Sequence, residues 1–199
     1  MHWNPILLLL PMYKVIDNFL SPRYFEMIQR EVLEGDHIWE YKGNVTKYTS
    51  ADPGEESLFD FGFSHTILFE GKSSHLHPFL ASFYADLLLE TDTQRVIRCR
   101  LDMVTHTPNK HKHPPHIDFY YPHISSVFYL TDSDAETVLY NERATNEEEF
   151  YASDFSTLTE MVRVRPKANR ILIFDGSHLH TGHSPSDCKR RVLINTNLV

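Results

Sequence analysis

Basic charge is scarce in this chain of 199 residues. Nineteen Lys and Arg stand against 27 Asp and Glu, for a formal net charge of −8. A nucleic-acid backbone needs a basic footprint, so nucleic acid is not an expected partner. Cysteine is scarce too. Cys99 and Cys188 form neither a disulfide framework nor a CxxC zinc motif, which fits a reducing compartment. Long apolar runs are missing. The apolar run at residues 6–10 stops at Pro11, too short to span a bilayer, and no basic residue precedes it as in a signal peptide. It reads as a buried strand at the start of the fold. The expectation is a soluble, cytoplasmic protein without a membrane partner. There is no internal repeat and no low-complexity tract.

What is plentiful is histidine. Of 13 histidines, eight fall within residues 106–123 and 178–183. Exposed loop histidines would scatter; these converge on two short segments.

The length suits one domain with a sizeable core. Residues 1–94 read as an N-terminal strand and helical support, and 95–199 as the β core. Tyr13 to Phe19 reads as a strand and its exit. Ser21 and Pro22 open a helix as N-cap and first residue. Phe25, Ile28 and Val32 give it one apolar face, and Gly35 suits its end. Asp52-Pro53-Gly54 reads as a turn. The alternation of Phe59, Phe61 and Phe63 predicts a short strand. A second helix is expected over 78–90, with Leu80, Phe83, Tyr84, Leu87 and Leu88 on its apolar face.

From residue 96 the period becomes two. Ile97, Cys99, Leu101 and Met103 alternate with Arg98, Arg100 and Asp102, the pattern of a half-buried strand. Further strands are expected at 126–131, 137–140, 161–165, 171–175 and 191–198, separated by turn-rich segments. Short strands without intervening helices point to a mainly β (α+β) fold, an antiparallel jelly roll buttressed by N-terminal helices. The acidic segment 142–160 reads as a solvated insertion, with a substrate lid as the second reading.

His116-Ile117-Asp118 carries the chemistry. In an extended strand, residues i and i+2 share a face, so an imidazole and a carboxylate stand side by side. They are two ligands in search of a third, and His178, His180 and His183 each offer one. Two His and one carboxylate leave the opposite metal positions open, as in mononuclear Fe(II) oxygenases. His113 lies close by, but Pro114 and Pro115 forbid a helix that would pair it with His116. His106, His111, His113 and His123 read as neighbours of the metal, substrate-facing groups or exposed side chains. Tyr120 and Tyr121 either line a pocket or simply pack. Arg190 and Arg191 open the last apolar strand. Adjacent strand residues face opposite ways, so only one of them points inward, where it would want an anion.

Together these pieces resemble the Fe(II)/2-oxoglutarate-dependent dioxygenases. The likeness is strongest to the prolyl-4-hydroxylase-like branch and its small phage-encoded single-domain members. The matching order is His116-Ile117-Asp118, then Phe128-Tyr129-Leu130 with a polar turn, Glu136-Thr137, Pro166-Lys167, Ile171 to Gly176, His180 and Arg191. Asp134-Ala135 replaces a glycine pair, and Thr131 stands where Asn is common. The resemblance implies a double-stranded β-helix. It implies His116, Asp118 and His180 as iron ligands and catalytic centre. Arg191 would bind the C5 carboxylate of 2-oxoglutarate, and Tyr129 would hydrogen-bond the same carboxylate. Fe(II), 2-oxoglutarate and O2 are the implied cofactor and cosubstrates, with ascorbate as a stimulant. The implied reaction hydroxylates a C–H bond of a peptide or small molecule and turns 2-oxoglutarate into succinate. A metal-binding cupin without 2-oxoglutarate and a non-catalytic jelly-roll interaction module are the alternatives.

Overall fold

The computed structural model describes residues 12–46 and 57–199. The run at 6–10 and the turn at Asp52-Pro53-Gly54 lie outside the described residues. The elements are Tyr13–Asp17 (β1), Pro22–Glu34 (α1), Glu40–Lys42 (β2), Gly62–Phe69 (β3), Lys72–Ser73 (β4), Leu76–Phe79 (α2), Ala81–Thr91 (α3), Val96–Thr105 (β5), Ile124–Tyr129 (β6), Thr137–Arg143 (β7), Glu147–Ala152 (α4), Glu160–Val164 (β8), Arg170–Asp175 (β9), His178–Gly182 (β10) and Arg190–Leu198 (β11). A large sheet runs β1-β9-β6-β11-β5-β3-β2, with β4 added to β3; a small sheet runs β10-β7-β8. Their pairings are antiparallel. Strands distant in sequence lie side by side, as the expected jelly roll requires. Among the described residues, no helix is long and apolar enough to cross a membrane.

Alternation along the central strands builds two layers of core. Phe128, Ile171, Ile173, Val192 and Ile194 join Phe25, Ile28, Val32, Phe83 and Leu87 from α1 and α3. Their neighbours in sequence, Val127, Tyr129, Leu172, Phe174 and Leu193, meet Leu139 and Val164 of the small sheet. The helices thus cover one face of the large sheet and the small sheet covers the other. Phe128 anchors the helical side, with Phe19, Phe25 and Phe83 rings 5.2–6.1 Å away, centroid to centroid. Burying a side chain of this kind is worth about 1.5–3 kcal/mol.

Helix α1 follows its pattern, with Pro22 in its first turn and Phe25, Ile28 and Val32 buried. Gly35 ends it in extended rather than left-handed backbone. Glycine is needed there for space, because a Cβ would lie 2.2 Å from the Glu31 carbonyl oxygen. The second helix starts earlier than expected and breaks at Leu80 into α2 and α3. Phe59 and Phe61 precede β3 instead of sharing a strand with Phe63.

The acidic segment is not simply a solvated insertion. Asn146 caps α4 by accepting from the Glu149 amide at 2.9 Å. Glu147, Glu148 and Glu149 occupy its first turn, where the helix dipole favours negative charge. Phe150 is fully buried against Ile117, Val138, Tyr140 and Leu179. The helix therefore anchors the layer beneath His116 and Asp118.

Candidate metal centre and its cavity

His116, Asp118 and His180 converge: one ligand atom from each lies within 4.8 Å of the others. The spacing of His116 and Asp118 predicts a strand. The segment is irregular instead, holding only an isolated bridge between His116 and His180. The face alternation survives, because Ile117 is buried in the opposite apolar cluster. The bridge is a reciprocal backbone pair, His116 amide to His180 carbonyl at 2.9 Å and the reverse at 3.0 Å. It brings the two imidazoles to 4.4 Å between ring centroids.

Each imidazole has its tautomer set from behind. His180 Nδ1 donates to the His178 carbonyl at 3.1 Å and His116 Nδ1 to the Pro114 carbonyl at 3.3 Å. A carbonyl only accepts, so in the neutral rings Nε2 carries the lone pair. Burial, then repulsion from His180, pushes His116 down to about 3. Burial also pushes His180 down, so both rings are neutral at physiological pH. His180 Nε2 is buried with no hydrogen-bond partner among the described residues, 4.0 Å from Asp118 Oδ2.

Asp118 is held as a carboxylate. Burial alone would raise its pKa, but Arg98, and then His180 and His116, outweigh burial and hold it well below the usual range. Arg98 pairs with Oδ1. Oδ2 accepts from Asn197 Nδ2 at 2.8 Å and Ser125 Oγ at 3.2 Å. Arg98, Ser125 and Asn197 were not singled out in the sequence. The alternation of β5 implies only a half-buried strand with Arg98 among its polar residues; that face turns to Asp118 and the cavity. Two neutral imidazoles and one fixed carboxylate, with an orphaned buried nitrogen among them, suit a divalent metal of the Fe(II) type.

A cavity of about 350 Å³ adjoins the cluster. Its lining includes His116, His180, His113, Thr137, Asn195 and Arg191. Arg191 is 6% exposed, while Arg190 is exposed at the strand start. The parity of β11 decides this, since Arg191 shares its face with Leu193 and Asn195. Arg191 Nη2 donates to Thr137 Oγ1 at 2.6 Å, and its Nε has no hydrogen-bond partner among the described residues. Burial pushes its guanidinium pKa down. Such a charge invites an anion.

Tyr129 lies beside it, its ring 5.6 Å from the guanidinium carbon. Its hydroxyl donates to Thr137 at 2.7 Å, so Thr137 joins the two residues. In the sequence, Thr137 enters only through the Glu136-Thr137 pair and the start of the expected strand 137–140.

The other histidines separate. His178 and His183 donate from Nδ1 to the carbonyls of Tyr140 and Glu136, at 2.9 and 3.0 Å. His106 is exposed, His123 is buried, and His111 bonds Asp60 at 2.7 Å.

No protein-family model matches the sequence, and no curated protein matches it. Solved structures do match in fold. A non-heme alpha-ketoglutarate-dependent carbocyclase, SnoK, of nogalamycin biosynthesis superposes with TM-score 0.65 at 13% identity, covering 94% of this chain and 79% of that one. A prolyl hydroxylase from Trichoplax adhaerens, solved with a hypoxia-inducible-factor peptide fragment, gives 0.58 at 14%, covering 94% and 83%. HygX from Streptomyces hygroscopicus, solved with nickel and 2-oxoglutarate bound, gives 0.56 at 15%, covering 94% and 82%. The chain has the double-stranded β-helix fold of these proteins.

Proposed function

We propose that this protein is an Fe(II)- and 2-oxoglutarate-dependent oxygenase that hydroxylates a C–H bond of a peptide or small-molecule substrate, forming succinate from 2-oxoglutarate. One observation carries the reading: the two histidines of a two-histidine, one-carboxylate cluster line the same cavity as a buried arginine that has no carboxylate partner among the described residues. The fold neighbours bound to 2-oxoglutarate support it.

His116, Asp118 and His180 would hold the ferrous ion. Bound there with 2-oxoglutarate and O2, iron supplies the oxidising power for C–H hydroxylation. The chain supplies position. Arg191, oriented by Thr137, grips the far carboxylate of 2-oxoglutarate. Tyr129 supports that grip through Thr137. Arg98, Asn197 and Ser125 fix the Asp118 carboxylate. Val127 and Leu193 give the cavity a dry wall. Arg100 and Asp102, paired with each other on β5, add a polar wall for the substrate.

The deciding experiment is anaerobic titration with Fe(II), with and without 2-oxoglutarate. A weak visible charge-transfer band is expected only when both are present. Iron binding without that band would instead favour a metal-binding cupin, and absence of iron binding a non-catalytic module.

Gly182 provides a subtler test. A Cβ at this position would lie 2.7 Å from Arg191 Nη1. The obstacle is the tip of a flexible side chain, so Gly182→Ala displaces the guanidinium and spares the fold. The expected result is weaker 2-oxoglutarate binding, by roughly tenfold or about 1.4 kcal/mol, with little change in Tm. Unchanged affinity would count against Arg191 as the carboxylate partner.

A further inference from the structure

The iron reading leaves much of the histidine excess unused. Three of the remaining rings, His37, His65 and His75, form a near-equilateral triangle with centroids 5.6, 5.9 and 6.0 Å apart. Glu31 stands beside them, and one ligand atom each from Glu31, His37 and His75 lies within 4.8 Å of the others. We propose that Glu31, His37, His65 and His75 form a second metal site, for a zinc-class divalent cation, that clamps the end of α1 to β3 and to the turn entering α2.

The tautomers carry the argument. His37 Nε2 donates to the Val32 carbonyl at 2.9 Å, and His65 Nδ1 to the Ile38 carbonyl at 2.9 Å. In the neutral rings this leaves lone pairs on His37 Nδ1 and His65 Nε2. Both atoms are buried and have no hydrogen-bond partner among the described residues. An imidazole held by a carbonyl through one nitrogen, with the other unused, is prepared as a metal ligand. Left without a donor, each buried lone pair costs stability.

Gly35 makes the approach possible. A Cβ there would lie 2.9 Å from His37 Cε1 and 3.0 Å from Glu31 Oε1. Three imidazoles and one carboxylate form a borderline nitrogen and oxygen set, suited to tetrahedral zinc. Ligand atoms in such a site lie roughly 3.3 Å apart, so Glu31, His37 and His75, whose ligand atoms already lie within 4.8 Å of one another, must draw together and the His65 ring must turn in to join them. Glu31 is half-buried and His75 is exposed, and both have the freedom to close on the two fixed rings. The site is separate from the iron centre: His65 faces the helices, while Ser64, next in β3, lines the cavity on the other face.

The test is zinc binding by the metal-free full chain. The His116→Ala, His180→Ala double variant disables the first centre and is titrated with Zn²⁺ alone. Zinc retained after buffer exchange is counted by elemental analysis, and Tm is followed by circular dichroism. The double variant should retain about one zinc per chain and melt higher with it. Adding His37→Ala or His75→Ala should weaken zinc binding at least roughly tenfold. If the double variant does not fold, the count is made on the unmodified chain and on His75→Ala, whose exposed position spares the fold; about two zinc ions should fall to one.

Zinc retained undiminished by both variants would overturn the proposal, as would no zinc in the folded double variant. Zinc lost only with His111→Ala would place the ion on Asp60, His111 and His113 and overturn it equally. In an otherwise unmodified chain, His75→Ala should leave the Fe(II) and 2-oxoglutarate band intact, which keeps this test separate from that of the oxygenase.

Discussion

Alanine at His116, Asp118 or His180 is expected to abolish succinate formation and to weaken Fe(II) binding by at least about a hundredfold, since losing a ligand costs more than losing its support. The three variants should differ in stability. His180 loses only its backbone-anchored ring, and the His116–His180 bridge is made by the backbone. Asp118 is different because it pairs with the half-buried Arg98. Removing one member of a fully buried pair costs on the order of 3–5 kcal/mol and of a partly buried one less, so Asp118→Ala should still melt below His180→Ala. Asp118→Asn keeps the shape and separates ligand loss from instability. Fe(II) affinity by anaerobic titration and succinate by chromatography are the measurements. His178→Ala and His183→Ala serve as controls and should keep turnover. If His180→Ala kept turnover while either control lost it, the third ligand would be misassigned.

Arg191→Met is expected to reduce 2-oxoglutarate affinity at least roughly thirtyfold, while Arg190→Met leaves it nearly intact. Methionine keeps the length but removes the fork and the charge. A buried charge-assisted pair lost on one side costs on the order of 2–5 kcal/mol. Fe(II) affinity without 2-oxoglutarate should change little, because no metal ligand is touched. Anaerobic titration of both variants tests this. Small, equal effects would remove Arg191 from the site and favour the cupin reading. A large effect at Arg190 alone would contradict the burial of its neighbour.

Much of the β core was legible in the sequence because its strands are short apolar runs bounded by turns, with period-two alternation where, as in β5, one face stays polar. Strands β5, β6, β9 and β11 and helix α1 follow their patterns closely. The convergence of His116, Asp118 and His180 and the inward-facing Arg191 were legible through motif order and parity. What was hidden depends on partners distant in the chain. Strand β10 was not assigned a pattern, because His178, His180 and His183 are polar yet buried beside β7. Arg98 and Arg100 fall on the polar side of a half-buried pattern, and a polar row on a strand ordinarily meets water. Here it borders the cavity, and Arg98 finds its acid on a loop twenty residues later. The acidic segment gave no sign that Phe150 would anchor it, because one aromatic carries no period. Thr137 was unremarkable until Arg191 and Tyr129 came to it from two other strands.

Strand β11 can be regarded as two interleaved texts. Val192, Ile194 and Leu198 belong to the helical core, whereas Arg191, Asn195 and Asn197 belong to the cavity and the cluster of His116, Asp118 and His180. Substitution can revise one text without disturbing the other, so stability and chemistry can drift apart within a single nine-residue strand. Insertion or deletion of one residue inside it cannot, because every later side chain then exchanges faces. Variation should therefore enter this strand by replacement, and changes of length should collect in the loop between His183 and Arg190, outside the paired register.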